Sequence, residues 1–413
     1  MEDIYIVGVG MTQFGRHLDK TEKQLTAQAV EDALRDAACD RKRVGAAFYG
    51  NCGQGYMQGQ HMIRGQVGLL PLGLQGIPLT NVENACATAS TAFHMALNYV
   101  RAGNADVALA VGTEKMYSND RAKMFGVFDS GWDLDLVEQT RSRLIAMGEG
   151  VEPPAGSTSP KPYSPFMDVY AGFARHYIRR FGVTQRQLAF ISAKNHTHSV
   201  HNPRAQFRVP MTTDEVLAAP PITYPLTLPM CSPISDGSAA AIVCNAQALA
   251  RYGFDRRRAV HVLASVMRSA SERDVDDLDH HITRLAANAA YAQAGLGPQD
   301  IHVAEVHDAT SMGELMQTEM LGFCGFGEGG VLAESGATSL GGRIPVNTSG
   351  GLESKGHPIG ATGLGQIFEL VGQLRGECGA RQVEGARVAM QENGGGIWGI
   401  EESAAHVGIY AAA

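Results

Sequence analysis

The chain has 413 residues, of which 44% are hydrophobic and 18% charged, with a net charge of −8 at pH 7. That balance excludes a disordered tail and leaves no overall basic field for nucleic acid or an anionic membrane. At roughly 100–200 residues per domain, the length suggests two or three structural units or one two-lobed body.

The apolar, uncharged run near Gly237–Ala250 is too short for a membrane span, which needs about 20 residues. The first residues read as a strand and lack the basic-then-apolar plan of a signal peptide. The seven cysteines are widely spaced, with no C-x-x-C pair, so neither a disulfide framework nor a zinc knuckle is expected. These features predict a cytoplasmic protein. Glycine is in excess, and the excess is local: 22 of the 49 glycines fall between Gly322 and Gly399. Something in that stretch needs backbone close by.

In chain order, Ile4–Val9 reads as a strand. Ala29-Val30-x-x-Ala33-Leu34-x-x-Ala37 follows as an Ala-rich amphipathic helix, then a polar turn and a strand near Val44. The pattern recurs with strand Ala259–Val266, helix Ala286-Ala287-x-x-Ala290-Tyr291-x-x-Ala294, and a strand near Ile301. A second matched pair is helix Thr91–Arg101 before strand Val107–Val111, and helix Gly363–Arg375 before strand Ala386–Met390. Alternating strands and helices predict βαβ crossovers, mostly parallel sheets and an α/β body of two pseudo-symmetric halves. The halves are expected at 1–245 and 246–413. The first is longer because of a proline-rich stretch, about 117–230, read as an inserted loop domain with helices Asp168–Phe181 and Thr184–His198. The charge clusters Arg256–Arg258 and Arg273–His281 read as solvated faces.

Four places could carry chemistry. Cys86 precedes the Thr91–Arg101 helix, where free N–H groups and the helix dipole favour thiolate; a buried structural cysteine is the plain alternative. His357 sits in Gly356-His357-Pro358 at a helix entrance, which suits a general base or a merely hydrogen-bonding loop histidine. His307 and Asp308 end the strand near Ile301, where polar residues often face a ligand crevice. Gly394–Gly396 follow strand Ala386–Met390 and offer bare N–H groups to an oxyanion.

Here a resemblance becomes specific. Asn84-Ala85-Cys86-Ala87-Thr88-Ala89-Ser90 resembles the nucleophile loop of the thiolase superfamily, and Gly356-His357-Pro358-Ile359-Gly360-Ala361-Thr362-Gly363 resembles its G-H-P-x-G-A-[ST]-G motif. His307-Asp308 is similar to the pair carried by sterol-carrier-protein-type and archaeal-type thiolases. Lys194–Val200 and Cys231–Gly237 also resemble segments of that branch. The likeness spans nearly the whole chain.

The resemblance implies a five-layer αβαβα thiolase fold with an inserted loop domain. It implies an acetyl-CoA C-acyltransferase-like enzyme that makes or cleaves the C–C bond of a 3-oxoacyl-CoA. Cys86 would be the acyl-accepting nucleophile, and His357 would take its proton. His307 would help His357 hold the thioester oxygen. The N–H groups of Cys86 and of Gly395 or Gly396 would form a second oxyanion hole. Ser232 resembles a residue lining the coenzyme A arm. Coenzyme A and acyl-CoA enter as substrates, with no covalent cofactor and no metal site. The partners implied are a second copy of the chain and a small zinc-ribbon/OB-fold subunit, which would itself hold any zinc.

One departure stands out. Ordinary thiolases carry a second cysteine just before the last glycine cluster, where this chain has Glu392 and Asn393. The sterol-carrier-protein type puts it after the His-Asp pair, where this chain has Ala309. The alternatives are an aldolase or non-CoA C-acyltransferase of the same fold, or a non-catalytic binding subunit. Met124, Phe125, Phe128, Trp132 and Met147 are candidate apolar walls of the acyl pocket.

Overall fold

The computed structural model describes residues 2–413. Eleven strands are β1 (Ile4–Met11), β2 (Ala46–Gly50), β3 (Leu79–Val82), β4 (Val107–Glu114), β5 (Pro221–Thr223), β6 (Leu226–Thr227), β7 (Gly237–Asn245), β8 (Val260–Ser269), β9 (Val303–Glu305), β10 (Val388–Gly395) and β11 (Ala404–Ala412). Nine of them form one sheet in the order β3-β2-β4-β7-β1-β8-β11-β10-β9. Only β5 and β6 stand apart, as a short hairpin.

The sheet carries the repeat. In the first half β2 pairs in parallel with β3 and β4, while β7 runs antiparallel between β4 and β1. In the second half β9 and β10 are parallel, and β11 runs antiparallel between β10 and β8. A bridge from Ala304 to Val346 supplies the outermost position. Each half therefore has one reversed strand, which the alternation of strands and helices did not reveal. The halves meet where β1 and β8 pair antiparallel, Tyr5 with His261 and Ile6 with Val260.

Helices make the other layers. The Glu22–Asp36 helix covers the outer face of the first half, with Ala29, Val30 and Ala33 buried against Val7, Leu109 and Ile242. The Ile282–Ala294 helix does the same outside the second half, against Ala264, Val407 and Ile409. Between the two half-sheets lie the Thr88–Arg101 and Thr362–Arg375 helices, whose Phe93, Leu97, Ile367 and Leu370 share one core with Ile6, Val243 and Val262. The order is α–β–α–β–α, the five layers expected. Alanine on the facing helix surfaces lets backbones approach closely, and fully buried apolar side chains drive the packing at about 25 cal/mol per Å².

The segment between β4 and β7 holds the Phe166–Phe181 and Gln185–His198 helices. Thr184 caps the second with a reciprocal capping box to Gln187. This segment packs on the second half, its Tyr170, Tyr177 and Leu188 sharing a core with Met312 and Leu315. The charge clusters are only partly solvated. Arg273 is 7% exposed and donates to Glu401 at 2.7 Å, and His281 is fully buried. Among the described residues no helix is long and apolar enough to cross a membrane.

Candidate functional site

The Cys86 turn is built by its neighbours. Cys86 lies in the tight Ala85–Ala87 turn that opens the Thr88–Arg101 helix. Ala85 is held at φ 47°, a left-handed conformation rare without glycine. The Asn84 N–H donates to Thr88 Oγ1 at 2.7 Å, and the Ala85 N–H donates to Glu83 Oε1 at 2.6 Å. Beneath the turn, the Cys52 thiol donates to the Ala85 carbonyl at 3.1 Å. Cys52 gave no signal in the sequence.

His357 enters from the other half. Its N–H donates to Ser235 Oγ at 3.0 Å, and Ile234 and His357 form a parallel bridge. His307 follows β9, with its N–H donating to Glu392 Oε2 at 2.9 Å. The imidazoles of His307 and His357 stand edge to face with centroids 5.2 Å apart. The sulfur of Cys86 and one ring nitrogen each of His307 and His357 all lie within 4.8 Å of one another. Residues more than 220 positions apart in sequence thus form one cluster.

The cluster lines a cavity of about 1290 Å³. It runs from exposed Val209 to buried His307 and His357. Gly395, Gly396 and Ser232 line it too. The Ser232 N–H donates to the Ala309 carbonyl at 3.0 Å, which ties that loop to the residue after the His-Asp pair. Of the candidate apolar walls, Met124, Phe125 and Phe128 line this cavity. Trp132 and Met147 do not. Trp132 stacks on Phe166 at 5.6 Å, and Met147 is buried in the core of the intervening segment.

The electrostatics correct one expectation. The helix start was expected to favour the Cys86 thiolate, yet burial pushes the thiol up to about 12, with the charges of Glu114 and Glu83 adding to it. The Gly396 N–H and the residue's own N–H pull the other way and lose. Burial also pushes His307 down to about 4, and it pushes His357 well below the usual imidazole range, helped by His307 and Lys355. At neutral pH the cluster is a thiol beside two neutral imidazoles. Neither nitrogen of His307 has a hydrogen-bond partner although both are buried.

Residues that the sequence did not single out hold the site together. Glu114 accepts from the N–H groups of Cys52, Gly53 and Gly360 at 2.9–3.1 Å, joining the Cys86 side to the His357 loop. Asp308 turns away from the cavity and accepts from the Leu352 N–H at 2.8 Å and from Asn195 at 3.1 Å. Lys194 is buried against Glu314 and also donates to the Val346 carbonyl at 2.9 Å. The Lys194–Val200 likeness is therefore structural at Lys194 and Asn195.

Two family models match: Thiolase, N-terminal domain, over residues 4–218, and Thiolase C-terminal domain-like, over residues 264–407. An acetyl-CoA acetyltransferase of Methanothermobacter thermautotrophicus is 36% identical, covering 98% of this chain and 99% of that protein. Human sterol carrier protein 2 is 37% identical, covering 94% of this chain and 69% of that protein. Among solved structures, the Ltp2-ChsH2(DUF35) aldolase has a TM-score of 0.77 over 99% of this chain and 98% of that one, at 22% identity. That likeness concerns the fold alone. With both family models matched and the acetyl-CoA acetyltransferase aligned nearly end to end, the chain belongs to the thiolase family, and it is an acyltransferase of that family.

Proposed function

We propose that the protein makes or cleaves the C–C bond of a 3-oxoacyl-CoA through an acyl group carried on Cys86. The observation that carries this reading is the Cys86–His307–His357 cluster, within 4.8 Å, on a cavity of about 1290 Å³. An aldolase needs no covalent nucleophile, so this cluster favours acyl transfer over the aldolase alternative.

In cleavage, the sulfur of Cys86 attacks C3 of the substrate as its proton passes to His357. The negative charge on the C3 oxygen faces the N–H groups of Cys86 and of Gly395 or Gly396. A Cβ on Gly395 would lie 2.9 Å from the Cys86 nitrogen, so only glycine lets the two strands of backbone come this close. The C2–C3 bond then breaks, leaving a thioester on Cys86. The unpartnered nitrogens of His307, with His357, hold the enolate oxygen of the departing acyl-CoA. Coenzyme A resolves the Cys86 thioester, and condensation is the reverse.

The cavity also suits coenzyme A. In a chain of net charge −8, Arg16, Arg121, Lys161 and Arg208 all line it, and guanidinium groups pair well with phosphate. Ser232 lines the same cavity. A homodimer and a small zinc-ribbon/OB-fold subunit complete the proposed assembly; the structurally similar aldolase is itself an Ltp2-ChsH2(DUF35) pair.

The test is mass spectrometry of the purified protein after mixing with acyl-CoA. A thioester on Cys86 is expected in the parent and absent in Cys86→Ala. Thiolysis of linear, branched and aromatic 3-oxoacyl-CoAs, with and without a co-purified subunit, then identifies the acyl group. Full thiolysis by Cys86→Ala would sink the reading.

A further inference from the structure

The two neutral imidazoles and the thiol leave one proton unaccounted for. Breaking C2–C3 needs an acid to protonate C2, and the next step needs a base for the thiol of coenzyme A. The sequence points to Glu392 by its place before the glycine run, but Glu392 does not line the cavity. Its Oε2 is taken by the His307 N–H, which makes it a positioning residue for that imidazole.

A different carboxyl reaches the cavity. Glu402 lies just before β11 and lines the same cavity as Cys86, His307 and His357. It stands against the three-glycine run from the opposite side to the nucleophile. A Cβ on Gly394 would lie 2.7 Å from Glu402 Cγ and 3.1 Å from its Oε1, while a Cβ on Gly395 would lie 2.9 Å from the Cys86 nitrogen. Two consecutive missing side chains thus make room for the carboxyl and for the Cys86 turn. Glu402 Oε1 accepts from Gln317 Nε2 at 3.1 Å. Its Oε2 has His281 Nε2 at 3.8 Å, beyond hydrogen-bonding distance. Burial raises the carboxyl to about 7, Glu401 adds to the rise, and its own N–H, Arg273 and Gln317 oppose it. A carboxyl poised there exchanges protons in either direction near neutral pH. Two other carboxyls line the cavity. Glu215 accepts from the Thr212 N–H at 2.7 Å and from the Thr212 hydroxyl at 2.8 Å, in the capping box of the Thr213–Ala218 helix. Glu353 accepts from Ser311 at 2.7 Å and sits by Asp308, whose charge adds to burial in raising its carboxyl well above the usual carboxylate range.

We propose that Glu402 is the catalytic acid and base at C2, in the role that a second cysteine plays in ordinary thiolases although at a different position in the chain. This rests on the acyl-transfer reading. In cleavage, the electron pair of the C2–C3 bond moves to C2 and takes the proton of the Glu402 carboxylic acid. The carboxylate then takes the thiol proton of coenzyme A as that sulfur attacks the Cys86 thioester. The Cys86 sulfur leaves and recovers its proton from His357. Each group ends as it began.

The test separates C2 chemistry from acylation. Exchange of the C2 protons of acetyl-CoA for deuterium from solvent is followed by NMR in the parent and in Glu402→Gln, which keeps the acceptor for Gln317. Acylation of Cys86 by p-nitrophenyl acetate, whose leaving group needs no acid, is measured by mass spectrometry in both. Exchange is expected to fall about 100-fold or more in Glu402→Gln, with Cys86 acylated as readily as in the parent. Exchange at the parental rate overturns the proposal. So does loss of acylation together with exchange, which would make Glu402 a prop for the glycine run. Acylation without any exchange in the parent also overturns it. A parent that never acylates on Cys86 refutes the acyl-transfer reading itself.

Discussion

The His357 imidazole and the Thr362 hydroxyl lie 2.7 Å apart, nitrogen Nδ1 to Oγ1, and the hydroxyl donates its one proton to the Pro358 carbonyl at 3.1 Å. Oγ1 must then accept from the imidazole, so the Nδ1 of His357 carries the hydrogen and Nε2 is the bare base. One threonine sets which nitrogen of His357 is free to act as the base in the proposed reaction.

Thr362→Val keeps the shape and removes the acceptor. Activity is expected to fall about 100-fold with KM little changed, and Thr362→Ser should restore most of it. Steady-state kinetics on the three proteins checks this. Equal kcat in Thr362→Val and the parent would show that the tautomer is set elsewhere.

The Cys86 thiol gives the pH prediction. Burial disfavours its charged form, so the thiolate fraction is small at pH 7 and grows as pH rises toward about 12. Alkylation of Cys86 by iodoacetamide should be slow at neutral pH and rise about tenfold per pH unit up to pH 10. A rate already at its plateau at pH 7 would instead indicate a thiolate–imidazolium pair.

Gly395→Ala inserts a methyl group between the glycine run and the Cys86 turn. Overpacking of this kind costs about 1–3 kcal/mol, read as a lower midpoint in urea. Activity is expected to be lost well beyond what that stability change explains, because the methyl group displaces the N–H groups of the proposed oxyanion hole. Retained activity would remove Gly395 from the proposed oxyanion hole.

Lys194 and Glu314 test the scaffold rather than the chemistry. Glu314 is also bonded by Asn195 at 2.9 Å and Asn347 at 2.8 Å. Lys194→Met leaves a buried carboxylate without its cation and should cost about 3–5 kcal/mol. Adding Glu314→Gln should return much of it. Urea denaturation of the single and double variants gives both numbers.

Much of this was legible in the residues. The Ala-rich helix at Ala29 and its counterpart at Ala286 announced the duplication, and Gly356-His357-Pro358 announced a rigid loop with a histidine. The reversed strands β7 and β11 were not legible, because strand direction depends on pairing and not on hydrophobic pattern. The charge state of Cys86 was misjudged for a similar reason: a helix start can be read from sequence, but the burial of the thiol and the nearness of the Glu114 charge cannot. Glu402 left no local signal at all. Its place depends on the absence of a side chain at Gly394, eight positions earlier.

The seam between the halves has a consequence for biogenesis. In the sheet β1 pairs with β7 and β8, and β7 begins at Gly237. The apolar strand β1 is therefore without a strand partner until synthesis has passed residue 237. At about 5–20 residues per second, Ile4–Met11 waits many seconds for its partners. Chaperone capture during synthesis should concentrate there, and a bulky N-terminal fusion should lower the yield of folded protein more than a C-terminal one.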